Sequence, residues 1–65
     1  MELSEVKKNL NREVLYGNNR YLLTGVILKM NKKTRKFYYT AELFDLYSKH
    51  SLLYCALEKI QKLGG

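Results

Sequence analysis

Among its 65 residues the chain has no proline, no tryptophan, one cysteine and one histidine, and each scarcity removes a class of solution. The lone Cys55 rules out an internal disulfide. With His50 as the only histidine, a Cys/His zinc site within one chain is excluded too. No stretch approaches the roughly 20 apolar residues that span a bilayer, and the opening MELSEVKKNLN offers no apolar segment that would act as a secretion signal. The expectation is a cytoplasmic protein with no membrane contact, and an unpaired cysteine suits a reducing compartment. A chain of this size buries only about 60% of the surface it exposes when unfolded. Its core is therefore thin, and good packing or a partner subunit must supply what disulfides and metals do not; a homodimer is expected.

Acid is missing from one region in particular. Residues 14–41 contain Arg20, Lys29, Lys32, Lys33, Arg35 and Lys36 but no Asp or Glu. All six acids lie outside it, matched there by six bases, so the net charge of +6 belongs wholly to the middle of the chain. A positive potential concentrated in this way steers acidic partners.

What fills that middle is RYLLTGVILKMNKKTRKFYYTAELFDL. From Tyr21 to Met30 and from Phe37 to Leu46 it is rich in β-branched and aromatic residues, with Gly25 the one internal glycine. As a helix, Tyr21, Leu22, Leu23, Val26, Ile27 and Leu28 would put apolar groups all round a cylinder that so small a chain cannot bury. Two long antiparallel strands fit better, joined by a polar loop of about four or five residues around Asn31-Lys32-Lys33-Thr34. Gly25 marks a bulge or sharp bend. Phe37, Tyr39, Ala41 and Leu43 share one face and read as core. Since Asp45 would follow them inward, the alternation is expected to shift near Phe44 or Asp45, at a second bulge.

Around this hairpin the remaining elements are short. Ser4, followed by Glu5, with Val6 and Leu10 four apart, predicts a capped helix over Ser4–Asn9, with Leu3 packing back on it as a lid over one end of the sheet. Glu13–Tyr16 is a brief strand, and Gly17-Asn18-Asn19 the strongest turn signal. Tyr47–His50 reads as a loop, Ser51–Ala56 as a fourth strand, Leu57–Leu63 as a closing helical turn and Gly64-Gly65 as a loose tail. The whole predicts a mainly β domain: a small SH3-like barrel or strongly bent antiparallel meander of four to five strands, with a short N-terminal helix and a C-terminal helical turn. A flat sheet with a dimeric partner on its open face is the other architecture.

The succession LSEVKKNLNREVLY, RYLLTGVILK, FYYTAELFDL, SLLYCALEKI resembles a group of small proteins encoded by Gram-positive bacteria and their phages or prophages. The likeness runs over nearly the whole chain and lies in hydrophobic patterns. It implies an accessory gene of a mobile element, whose product binds and blocks a host factor, in some cases an antiviral defence component. It assigns no functional residue.

The side chains themselves favour binding over catalysis. Asp45, Ser48 and His50 contain the residue types of a hydrolytic triad, but within six residues of one loop they read as an ordinary polar turn. Glu42 with Asp45 or Glu58 reads as exposed charge on strand ends, and Cys55 as a small buried hydrophobe. There is no glycine-rich phosphate loop, and no cofactor is expected. Binding candidates are Lys29, Lys32, Lys33, Arg35 and Lys36, with Tyr38, Tyr47 and Tyr54 as contact aromatics. Their leading partner is a host protein with an acidic or nucleic-acid-binding surface. The alternative is single-stranded nucleic acid, with lysines on phosphates and Tyr38, Tyr21 or Tyr54 stacking on bases. Lys36-Phe37-Tyr38-Tyr39 resembles an RNA-recognition-motif strand, without that motif's glycines. A small anionic nucleotide held between protomers fits the same charges. Against all of these stands the plain reading that a lysine-rich hairpin tip keeps a strand edge soluble.

Overall fold

The structure, a computed structural model, describes residues 1–48 and 50–63; the expectations of a loose tail at Gly64-Gly65 and of a loop position for Lys49 fall outside them. Helix α1 (Leu3–Asn9) leads into strands β1 (Glu13–Tyr16), β2 (Asn19–Met30), β3 (Phe37–Phe44) and β4 (Leu52–Ala56), a 3-10 turn (Leu57–Lys59) and strand β5 (Ile60–Lys62). All pairings are antiparallel, in the order β4-β3-β2-β1-β5. No helix among the described residues is long and apolar enough to cross a membrane.

Local chemistry explains the two hairpins. Pairing of Tyr16 with Asn19 leaves a two-residue turn, and Gly17 sits at φ +63°, a conformation that any side chain would strain. The β2–β3 loop is built on Asn31, whose side-chain oxygen accepts the Lys33 N–H at 2.9 Å and the Thr34 N–H at 3.3 Å. Below them, the Asn31 N–H donates to the Lys36 carbonyl at 2.9 Å and the Arg35 N–H to the Asn31 carbonyl at 2.7 Å.

Within β2 the register slips between Leu23 and Gly25, so Thr24 is an extra residue. Its hydroxyl donates to the Glu42 side chain at 2.8 Å, which fixes the bulge. The slip resets the alternation. Leu23 faces inward opposite Leu43, and after the bulge Val26, Leu28 and Met30 take that face opposite Ala41, Tyr39 and Phe37. Every strand then contributes to one core: Val14, Leu23, Ala41, Leu43, Cys55 and Ile60, with Leu57 from the 3-10 turn. Each buried aliphatic contributes about 1.5–3 kcal/mol by leaving water. Met1 and Val6 of the N-terminal segment pack on the rim of this cluster, the Met1 amino group donates to the Ile60 carbonyl at 2.6 Å, and Lys62 pairs with Glu5.

Five expectations need correction. The sheet is not closed into a barrel: β4 and β5 are both outer strands and do not pair. It does curl. Five strands laid flat would separate those edges by roughly 19 Å, whereas the four Cα steps from Ala56 to Ile60 reach at most about 15 Å. The segment expected as a closing helical turn is helical only over Leu57–Lys59 and then returns as β5 along β1. The helix cap is Glu2, not Ser4, and the Glu2 N–H donates to the Glu5 carboxylate at 3.2 Å; Leu3, expected to pack inward, is exposed. No second bulge forms at Asp45, because β3 ends at Phe44 before the alternation would bury the carboxylate. Finally, Phe37 and Tyr39 share the face of Ala41 and Leu43 but are not core, since both are exposed.

Candidate functional site

That last correction defines the most unusual surface of the molecule. β1 covers β2 only as far as Leu22, and β4 covers β3 only from Thr40 onward. Beyond these limits β2 and β3 continue as a two-stranded ribbon, in which every residue from Ile27 to Tyr39 is exposed. On its inner face, continuous with the core, Leu28, Met30, Phe37 and Tyr39 are 54, 49, 68 and 37% exposed. Apolar side chains gathered on one exposed face mark a binding surface more often than singly scattered ones do.

Six of the eight binding candidates meet on this ribbon. Lys29 lies on its outer face, directly opposite Tyr38. Lys32, Lys33, Arg35 and Lys36 form the tip, held in place by the bonds to Asn31, with Arg35 at φ +59°. The ribbon thus carries an apolar inner face and a cationic rim, with no acid in its length to offset the charge. The inner face was not singled out as a binding surface from the sequence. The signal for it was present in the alternation of Phe37, Tyr39, Ala41 and Leu43. What that pattern could not convey was where the covering strands stop.

The other two candidates lie elsewhere. Tyr47 belongs to the loop after β3, at the opposite end of that strand from the tip. Its hydroxyl donates to the Glu13 carboxylate, which pushes the phenol pKa up, with burial and the same negative charge adding to the effect. Arg20 lies 3.9 Å from Glu13, and Arg20, Tyr47, Asn18 and Asp45 line a shallow cleft of about 380 Å³. Tyr54 lies on β4, and its hydroxyl donates to Glu42 at 3.0 Å, which raises its pKa likewise.

Residues considered for chemistry take structural positions. The Asp45 carboxylate accepts the Tyr47 and Ser48 N–H groups at 3.0 and 3.1 Å and the Ser48 hydroxyl at 2.8 Å, the pattern of an Asx turn. The His50 ring leans on Phe44, with centroids 6.3 Å apart, rather than standing between the serine and the acid. Cys55 is buried, and desolvation raises its thiol pKa although nearby Lys59 opposes the shift. Among the described residues no three His, Cys, Asp or Glu side chains gather closely enough to hold a metal ion.

Comparison of the chain with protein-family models, with curated proteins and with solved structures returns no match.

Proposed function

We propose that the protein is a non-catalytic binding protein whose β2–β3 ribbon docks on an acidic protein surface. The observation that carries this reading is the continuation of the core face past the body as exposed Leu28, Met30, Phe37 and Tyr39, rimmed by Lys29, Lys32, Lys33, Arg35 and Lys36. An apolar centre within a charged rim is the usual anatomy of a protein interface, and the rim supplies steering towards acid. In the setting the resemblance implies, a mobile element within a bacterial host, the partner is a host factor. Covering its acidic site then inhibits it.

The test starts from a photo-crosslinking residue placed at position 37, with position 58 as the control. A partner captured from nuclease-treated host lysate at position 37 alone is purified and titrated. Phe37→Ala should weaken binding about 30-fold, the size of a single hot spot of ~2 kcal/mol, while leaving thermal stability unchanged. Equal affinity for wild type and Phe37→Ala would refute the docking face.

One observation favours a second reading. Lys29 and Tyr38 are cross-strand partners on the outer side of the ribbon, a basic and an aromatic residue on one face, the residue types that single-stranded nucleic-acid grooves combine. Binding of that kind weakens steeply with salt. Gel shifts with single-stranded DNA and RNA at low salt decide it, since no shift there removes nucleic acid as the ligand.

A further inference from the structure

The sheet has two outer edges, and they are protected very differently. β5 is three residues long and carries Lys62, with Lys59 just before it; shortness and lysine are the usual defences of an edge. β4, Leu-Leu-Tyr-Cys-Ala, has no charge, proline or bulge. Among the described residues nothing pairs with its outer side. Leu52 and Tyr54 are each 52% exposed there.

The hydrogen-bonding phase of that edge is fixed by one bond. The Asp45 N–H donates to the Ser51 carbonyl at 2.9 Å, so Ser51 turns its backbone groups towards β3. In an antiparallel ladder this orientation alternates. Leu53 and Cys55 therefore also bond to β3, opposite Leu43 and Ala41, while the N–H groups of Leu52, Tyr54 and Ala56 point outward.

We infer that β4 pairs antiparallel with β4 of a second copy of this chain, about a two-fold axis at Tyr54, joining the two sheets into one of ten strands. This register matches every outward group with another: Tyr54 faces Tyr54, and Leu52 of each copy faces Ala56 of the other. A two-fold contact of like with like closes at two subunits. Opposite residues share a face, so Leu52 of each copy arrives beside Ala56, which lines an apolar cleft of about 380 Å³ with Leu3, Tyr38, Tyr39 and Leu57. Charge favours this edge over the ribbon tips, whose lysines would repel one another. Because β4 runs antiparallel to its copy, β3 does too, and the two cationic tips point to opposite ends of the dimer. Five residues a side make a small interface, so dimerisation in the micromolar range is expected.

The experiment is sedimentation of the full chain over a wide concentration range, with amide exchange beside it. Wild type and Tyr54→Phe should pass from monomer to dimer as concentration rises, with the Leu52, Tyr54 and Ala56 amides gaining protection over the same range. Tyr54→Lys and Tyr54→Glu should each stay monomeric, because each places like charges against themselves on the axis, and their equimolar mixture should dimerise. The backbone groups of Tyr54 point away from β3, so the ladder within each copy is not broken, and the exchange data on wild type need no variant. A wild type that remains monomeric, a mass beyond a dimer, a dimer persisting in Tyr54→Lys, or edge amides whose exchange ignores concentration would overturn the pairing.

Discussion

Arg35 holds φ +59° at the ribbon tip, a conformation that costs a non-glycine residue about 1–2 kcal/mol. Arg35→Gly should therefore raise stability by about 0.5–1 kcal/mol in urea melts, while removing one of the cations proposed to contact the partner. Two glycines earlier in the chain behave differently. A methyl group at Gly25 would meet only the Glu42 carboxylate, at 3.9 Å, in ordinary contact, so Gly25→Ala should change stability by less than about 0.5 kcal/mol. At Gly17 there is open space but a positive φ, and Gly17→Ala should cost about 1 kcal/mol. Both glycines could be read in the sequence as turn and bulge signals. The residue that is actually extra, Thr24, could not, because threonine is an ordinary strand residue and only its partner Glu42 reveals the slip.

At the level of elements, α1 is held to the sheet by few contacts, among them Glu5 with Lys62. Lys62 and the bond from the Glu2 N–H hold the Glu5 carboxyl below its ordinary pKa. A depressed folded pKa adds stability at pH values above the unfolded carboxylate range, and that stability is lost as pH falls through the folded value. The gap in melting temperature between wild type and Glu5→Gln should thus be present near neutrality and close on acidification; a gap that widens in acid would show that the pair does not matter. The central layer is less forgiving. Leu43 is fully buried between neighbours from several strands, and Leu43→Ala should cost about 2–5 kcal/mol, a large share of what a domain this small possesses. β1 and the two long strands were legible from β-branched and aromatic runs between turn residues. β5 was not: Ile60-Gln61-Lys62 is too short to show alternation, and only its bonds to β1 make it a strand.

For the whole molecule, the long axis of 36 Å against a short one of 18 Å fits a curled body with a ribbon projecting from it. Charge and apolar area are concentrated on that projection. Replacing Lys32, Lys33 and Lys36 with alanine removes three of the six net positive charges. It should slow association with an acidic partner several-fold at low salt and hardly at all near 1 M salt, where screening is nearly complete; stopped-flow mixing at both ionic strengths checks this. Curl was foreseeable from the length of the chain and its strand count, whereas closure depended on whether β4 would meet β5, which no local pattern encodes. The Thr24 slip shapes the far end of the molecule, because a supernumerary residue bends its strand and tightens the twist while the residues on either side of it stay in step with the partner strand. Deleting Thr24 would leave Leu23 opposite Leu43, Gly25 opposite Glu42 and Val26 opposite Ala41 in unbroken alternation, so Leu28 and Met30 should keep their side beside Tyr39 and Phe37 while the bond to Glu42 is lost. A one-codon deletion roughly 20 Å from the tip would thereby relax the bend and twist that a bulge imposes and change the angle at which the ribbon leaves the body, without altering which of its sides is greasy.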